Sequence, residues 1–160
     1  MKQFISILII TLAIAAPLMA QTNDKPVQLS LLAPVQIYSE NNSITGFRIS
    51  LLYGKNTSVT GFDIGLVNHL TSGTSYGAQG GFVGIAEGDF YGVQENWINI
   101  AKKDVKGFQW GLFNSAANAR GWQFGFVNYA QSLHGIQIGL VNIIKTGGQF
   151  PVFPIVNWSF

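Results

Sequence analysis

Apolar and other residues alternate along much of the chain with a period of two, and this alternation recurs in a repeated unit. The unit is most regular at residues 105–114, 119–128 and 133–142, three ten-residue copies that start 14 residues apart and end in asparagine. A period of two is typical of a β-strand. Repetition at a fixed interval indicates an architecture assembled from copies of one element.

The same unit extends over most of the chain at intervals of 14 to 16 residues. Its first glycine recurs at Gly46, Gly61, Gly77, Gly92, Gly107, Gly121 and Gly135. Its closing asparagine recurs at Asn68, Asn99, Asn114, Asn128 and Asn142, with Tyr53 and Gly84 in its place in two copies, and Asn157 continues the row in a degenerate last copy.

The two faces of each predicted strand differ in size. In the unit 105–114 one face carries Phe108, Trp110 and Leu112, whereas the other carries Gly107 and Gln109, followed by Gly111 and Phe113. A soluble sheet would place the large apolar residues in a core and charges on the other face. The second face here has almost no charge, so the pattern does not fit an ordinary soluble sheet.

Two β architectures accept this repeat. In a β-solenoid each copy is one coil and the asparagines would stack in a ladder, but coils of 14 residues are short for that fold. In a membrane barrel each copy is one strand of roughly 9 to 11 tilted residues with alternating faces. The sequence therefore predicts an all-β, antiparallel up-and-down transmembrane β-barrel of about eight strands, with a β-solenoid as the alternative.

The first twenty residues predict a secretory signal peptide. Lys2 supplies a positive start, residues 4–16 form an apolar run too short to span a membrane, and Ala20 precedes the expected cleavage site. The mature chain would begin at Gln21, and residues 21–160 would form one domain. Charged residues make up 10% of the chain, against about 25% in typical soluble proteins, which again favours the cell envelope.

The end of the chain points to the same location. Residues 156–160 alternate apolar positions and finish with Trp158 and Phe160. This ending resembles the C-terminal signal of outer-membrane β-barrels, which the barrel assembly machinery recognises. The resemblance implies that Trp158 and Phe160 serve assembly and that this machinery is a partner.

The repeat Gly135-Ile-Gln-Ile-Gly-Leu-Val-Asn142 also resembles the leptospiral-type surface-repeat proteins, a bacterial family of the cell envelope. The opening of the mature chain at residues 26–32 and its ending at residues 151–157 look similar too, so the resemblance covers nearly all of it. It implies a place in the envelope and brings no catalytic or binding residue.

One polar position of the small face recurs in every unit. It predicts a belt of hydrogen-bonding groups in the lumen, formed by Arg48, Asp63, Gln79, Gln94, Gln109, Gln123 and Gln137. Arg48 and Asp63 would form a buried salt bridge, and the row Phe113, Val127 and Val141 would fill the remaining lumen. A conduit or ligand belt is the functional alternative, but the interior of eight strands is only wide enough for side chains, which favours a structural role.

Other candidate chemistry is sparse. His69 and His134 lack partners at metal-ligand spacing, no nucleophile motif is present, and no cofactor is predicted. Tyr76, Tyr91, Lys106, Arg120 and His134 share the position before the first glycine, where aromatics and cations are typical of a membrane interface. Glu95 interrupts the apolar face; a β-bulge, a rim position or a covering partner subunit would each explain it, and the bulge is preferred.

These features predict an outer-membrane structural or accessory surface protein that is not an enzyme. The alternatives are a small pore or ligand-binding barrel, and a secreted β-solenoid adhesin. The expected partners are outer-membrane lipid, the barrel assembly machinery and another envelope protein at Glu95. A net charge of +2 without a large basic cluster argues against nucleic acid.

Overall fold

A computed structural model describes residues 25–160 of the chain, so the predicted signal peptide and its cleavage site before Gln21 lie outside the described residues. The described part is built of β-strands and contains no helix. The strands are β1 (Lys25–Leu32), β2 (Val35–Gln36), β3 (Ile44–Asn56), β4 (Val59–Leu70), β5 (Thr74–Ala86), β6 (Asp89–Trp110), β7 (Phe113–Phe124), β8 (Val127–Thr146) and β9 (Val152–Ser159).

The strands pair in parallel from one repeat to the next. Within a single sheet of order β2-β1-β3-β4-β5-β6-β7-β8-β9, β1 is parallel to β3, and each strand from β3 to β7 is parallel to its successor. Gly46 lies beside Gly61, and Gly107 beside Gly121. Parallel pairing at an offset of one repeat requires the chain to return to the same side after every unit. Each repeat is therefore one coil, and the protein is a β-solenoid of about eight coils.

The predicted antiparallel barrel is therefore wrong, and the solenoid alternative is confirmed. The coils can be short because one of their corners needs only a single residue and the strands from β3 to β8 are otherwise joined by connectors of two or three residues. The first glycine of each unit has a φ between +121° and +146°, a region that residues with a Cβ atom rarely enter. A Cβ at Gly107 would also overlap the carbonyl oxygen of Gly92 in the coil before.

Small side chains allow the walls of each coil to approach. One buried row consists of Ala86, Ala101, Ala116 and Ala130, and a second row across the coil includes Val105, Ala119 and Leu133. These residues make up much of a thin apolar core. The rest of the interior is polar, which distinguishes this core from that of a typical globular domain.

The alternation of faces breaks twice in the coil that runs from Gln109 to Gln123, once at Leu112 and Phe113 and again between the buried Ala116 and Ala119. Leu112 and Phe113 both point outward, with 46% and 37% of their surfaces exposed, and Asn114 is then fully buried. A corner at this position shifts the alternation by one residue, so that Asn114 and not Phe113 points into the interior. The predicted filling of the interior by Phe113, Val127 and Val141 is therefore wrong, because asparagine occupies that place.

The two ends of the solenoid are covered by antiparallel strands. At the first coil β2 folds back on β1, and at the last coil β9 runs antiparallel to β8. Asn157 of β9 lies opposite Gln137 and thus does not continue the asparagine row. Pro154 and a register shift between Gly139 and Asn142 make β9 an irregular edge, which discourages further strand pairing.

Candidate docking surface

The large apolar residues of the repeat lie on the outside of the solenoid and form one continuous surface, which we call the apolar face. Register places them in three columns parallel to the solenoid axis. The first column is Phe47, Phe62, Ala78, Val93, Phe108, Trp122 and Ile136; the second is Ile49, Ile64, Gly80, Glu95, Trp110, Phe124 and Ile138; the third is Leu66, Phe82, Trp97, Leu112, Phe126 and Leu140.

The apolar face is large for so small a protein. Three columns span about 13 Å along the strands, and eight coils including Leu29 and Leu31 of β1 span about 34 Å along the axis, giving a footprint of about 440 Å². Patches of this size on soluble monomers commonly mark interaction sites. Trp110 and Trp97, with 59% and 58% of their surfaces exposed, show how little the protein covers this face itself.

A valley runs between the second and third columns. Its floor at the C-terminal end is glycine, and its walls are formed on one side by Trp110 and Phe124 and on the other by Leu112 and Phe126. The cavity there measures about 440 Å³, and Ile155 of β9 also lines it. A second apolar cavity of about 530 Å³ lies at the N-terminal end, between Leu29 and Leu31 of β1 and their neighbours.

Aromatic and cationic side chains border the apolar face on one side. We call this border the belt; it consists of Tyr76, Tyr91, Lys106, Arg120 and His134, which lie on successive coils. The rings of Tyr76 and Tyr91 meet edge to face at a centroid distance of 5.3 Å, and the Nζ atom of Lys106 lies 4.6 Å from the centroid of Tyr91. Arg120 and His134 are exposed beside a polar cavity that includes Asp104, Asn118 and Ser132.

Glu95 lies in the second column of the apolar face. Its strand pairs regularly with β5, Glu95 opposite Gly80, and no register shift occurs between the two strands. The predicted β-bulge is therefore wrong, and Glu95 is an exposed carboxylate among apolar neighbours. Its neighbour Asn96 points inward and donates from Nδ2 to Oδ1 of Asn99 at 2.7 Å, in the space that Gly84 leaves where other coils have asparagine.

The seven polar residues predicted to line a lumen, from Arg48 to Gln137, lie in the solenoid interior, and all are at most 2% exposed. Arg48 donates from Nε and Nη2 to the two carboxylate oxygens of Asp63, each at 2.7 Å. Gln79 donates to Asp63 at 2.9 Å. From Gln94 onward, the Nε2 atom of each glutamine donates to the Oε1 atom of the one before it, at 2.6–3.0 Å. One charged pair thus begins an otherwise neutral ladder.

The closing asparagines form a second ladder, which runs in the opposite donor direction. The Nδ2 atoms of Asn99, Asn114 and Asn128 each donate to the Oδ1 atom of the next asparagine at 2.8 Å. Each also donates to a main-chain carbonyl of the next coil, for example Asn99 to Trp110 at 2.9 Å. The two ladders satisfy most of the buried amide groups, as a polar interior requires.

The predicted assembly signal lies at the end of the solenoid. Trp158 of β9 pairs with Ile136 of β8. Phe160 is 81% exposed, and its ring lies 6.4 Å from the ring of His134. Since the strands form a solenoid, the resemblance of this ending to a barrel signal loses its structural basis. The geometry shows β9 as an end strand of the solenoid.

A polar contact chain, not anticipated from the sequence, links four coils outside the apolar face. The hydroxyl of Tyr53 lies 2.6 Å from Nδ1 of His69, while Oε1 of Glu87 lies 3.3 Å from Nε2 of His69 and 2.8 Å from Nζ of Lys102. The hydrogen bonds from Lys102 and then from His69 lower the pKa of Glu87. The register places His69 beside Lys55 and Ile85 instead of Tyr53 and Glu87, so these contacts join different positions of the repeat and no sequence signal marks them.

Within residues 25–160 the structure shows neither a candidate metal site nor a candidate membrane-spanning helix. No group of three or more histidine, aspartate or glutamate side chains there could hold a metal ion. A search of the same residues for a helix long and apolar enough to cross a membrane finds none. Comparisons of the chain with protein-family models, curated proteins and solved structures found no match.

Proposed function

We propose that the protein is a non-catalytic accessory protein of the bacterial outer-membrane surface, and that it binds lipid through its apolar face. The observation that carries the proposal is the exposure of three apolar columns on a scaffold whose buried polar groups are mostly satisfied by hydrogen bonds inside it. Burying exposed apolar surface contributes about 25 cal/mol per Å². A footprint of about 440 Å² would thus give a gross stabilisation of about 11 kcal/mol before the losses of association.

The belt supports lipid as the occupant. Tyrosine, lysine and arginine are enriched where a protein surface passes from acyl chains to headgroups. Lys106 and Arg120 lie at the border of the face rather than within it, so their charges would meet phosphate groups while the three columns lie in the interfacial layer of headgroups and upper acyl chains. Anionic headgroups would complement these two cations.

A second copy of the protein fits the face less well. A stable protein–protein interface usually buries about 800 Å² on each partner, and the footprint is about half of that. Glu95 also lies in the middle of the face, with three members of the second column on either side of it. Two faces packed about a central twofold axis would bring two carboxylates together, and like charges in an apolar interface are strongly disfavoured.

The location rests on sequence features. The predicted signal peptide at residues 1–20 supports export, and the resemblance of the repeat to leptospiral-type surface-repeat proteins supports the cell envelope. A secreted adhesin would share the solenoid fold and the export signal. The continuous apolar face favours the membrane surface over this alternative, because an adhesin exposed to water would have to leave the face uncovered.

The test is flotation of the protein, purified from its own envelope, with vesicles of phosphatidylglycerol and phosphatidylethanolamine. We expect the protein to float with the vesicles, and the double variant Trp110→Ser/Phe126→Ser to remain in the soluble fraction with an unchanged unfolding transition. A second variant, Lys106→Gln/Arg120→Gln, should weaken binding by about thirtyfold, since each of the two cations near an anionic surface contributes about 1 kcal/mol.

The matched control for charge is Lys103→Gln/Lys145→Gln, which removes two exposed cations outside the belt. It should change binding less than the belt variant does. Failure of the native protein to float with any vesicle would overturn the membrane proposal. Specific adhesion to a host or matrix surface in that case would establish the adhesin instead.

A further inference from the structure

Glu95 is a carboxylate in the middle of an apolar surface. Its neighbours across the strands are Gly80 on one side and, because Gln94 pairs with Gln109, Trp110 on the other. Val93 and Trp97 flank it along its own strand. Among residues 25–160, no side-chain hydrogen bond or ion pair involves Glu95, which leaves its charge uncompensated when the face is covered.

The surface beside Glu95 is recessed. The preceding coil carries Ala78 and Gly80 where other coils carry phenylalanine or isoleucine. A Cβ atom added at Gly80 would find its nearest neighbour 3.7 Å away. The ring of Phe82 lies 4.7 Å from that of Trp97 along one border of this recess. The result is an open hollow with one carboxylate and exposed indole rings around it.

These groups define the chemistry of an occupant. A carboxylate moved from water into apolar surroundings is strongly disfavoured unless a cation accompanies it. Indole rings attract the same cations through their faces, and ammonium groups that carry carbon substituents are a common ligand of such arrangements. We propose that Glu95, with Trp97 and Trp110, binds the ammonium group of a lipid headgroup when the apolar face docks on a membrane.

This inference rests on the proposed function, since docking is what brings headgroups to the hollow. The ammonium site would make the proposed membrane binding selective for particular lipid headgroups. The belt would contact the phosphate groups at the border of the face, while Glu95 would select lipids whose headgroups also carry an amine. A purely anionic membrane would leave the carboxylate of Glu95 without a partner and would repel it.

The experiment compares vesicles that contain phosphatidylethanolamine with vesicles in which a sugar-headed neutral lipid replaces it, at the same phosphatidylglycerol content. We expect the native protein to bind the ethanolamine vesicles about fivefold more tightly, as one partly exposed ion pair with a cation–π contribution allows. Glu95→Gln should lose this preference and still bind both vesicles. Glu40→Gln, which removes an exposed carboxylate that is not part of the three columns, should retain the preference for ethanolamine vesicles.

The outcomes separate the two proposals. Equal binding of the native protein to both vesicles would overturn the ammonium site and leave membrane docking intact. Stronger binding of Glu95→Gln to both vesicles alike would show that the carboxylate only opposes docking. Failure to bind either vesicle would overturn the proposed function itself. A change in tryptophan fluorescence with dissolved choline at an affinity equal to that for vesicles would assign the site to a soluble amine instead of a lipid.

Discussion

Gln109 and Trp110 are neighbours in one strand, and their environments are opposite. Gln109 is completely buried, whereas 59% of the surface of Trp110 is exposed. In an ordinary globular domain the tryptophan would be inside and the glutamine outside. The comparison shows that size and hydrogen-bonding capacity decide which side chains fit inside a narrow coil. A glutamine that pairs with its copy one coil away fits there, and an indole does not.

The largest effect should come from the one charged pair of the interior. Arg48→Ala or Asp63→Ala leaves a buried charge without its partner, which typically costs about 3–5 kcal/mol. The double variant Arg48→Gln/Asp63→Gln would extend the neutral ladder and should cost less than the sum of the single changes to glutamine. Chemical denaturation measures each free energy of unfolding.

The exposed pair Lys55–Glu40, at 3.3 Å, is the control for this experiment. Removing it should change the free energy of unfolding by about 1 kcal/mol or less. If the costs of removing Arg48 and Asp63 were strictly additive, their ion pair would not contribute as the geometry indicates.

A glycine at a corner should matter more than a glycine on the apolar face. Gly107 has a φ of +131° and adjoins the Gly92 carbonyl, so Gly107→Ala should destabilise the fold by about 2–3 kcal/mol through backbone strain and overlap. Gly80→Ala meets nothing closer than 3.7 Å and should change stability by about 0.5 kcal/mol or less. Thermal unfolding of both variants checks the difference, and equal melting temperatures would contradict the role of the corner.

The contrast between the buried Gln109 and the exposed Trp110 can be tested by changing each residue separately. Gln109→Leu removes the donor to Gln94 and the acceptor for Gln123, so it should cost about 1–3 kcal/mol despite adding hydrophobicity. Trp110→Ser removes a large exposed side chain and should change folding stability by about 0.5 kcal/mol or less. A greater loss from Trp110→Ser than from Gln109→Leu would reverse the comparison between interior and exterior.

The smallest effect should be that of pH on the polar contact chain. The pKa of Glu87 is lowered from 4.5, first by Lys102 and then by His69. A carboxyl group with a depressed folded-state pKa stabilises the protein above its unfolded pKa and loses that contribution as pH falls through the folded value. Glu87→Gln should therefore flatten the stability profile below about pH 4.5, by well under 1 kcal/mol because the group is partly exposed. An unchanged profile would mean that Glu87 gains nothing from these partners.

The faces of the strands were predictable, but their direction was not inferred correctly. Alternation with a period of two is the same in parallel and antiparallel strands. The alternation of Phe108 and Gln109 therefore shows that they lie on opposite faces, but it does not show whether neighbouring strands are parallel. Gln109 lies near the middle of its unit, and central residues line up in either arrangement. The closing asparagines were more informative. In an antiparallel meander Asn114 and Asn128 would lie at opposite rims, and only parallel coils stack them.

Two parts of the surface could not be obtained from the repeat alone. The corner at Leu112 and Phe113 changes the phase of the alternation by one residue, and nothing in an apolar pair marks such a corner. The chain Tyr53–His69–Glu87–Lys102 joins residues of four different types, so it is invisible to a comparison of identical positions. The isolated Glu95, by contrast, was visible because it broke the apolar column.

The in-register pairing of the coils also bears on how such a chain could change over generations. Each coil pairs only with the one before and the one after it. Loss of residues 107–120 would join Lys106 to Gly121, which occupies the same position as Gly107 and pairs with it. Such a deletion would shorten the protein by about 4.8 Å and remove one row of the apolar face. A duplication would add the same amount. The length of the solenoid along its axis can therefore change in evolution by whole repeats, while the strands that cover its two ends stay the same.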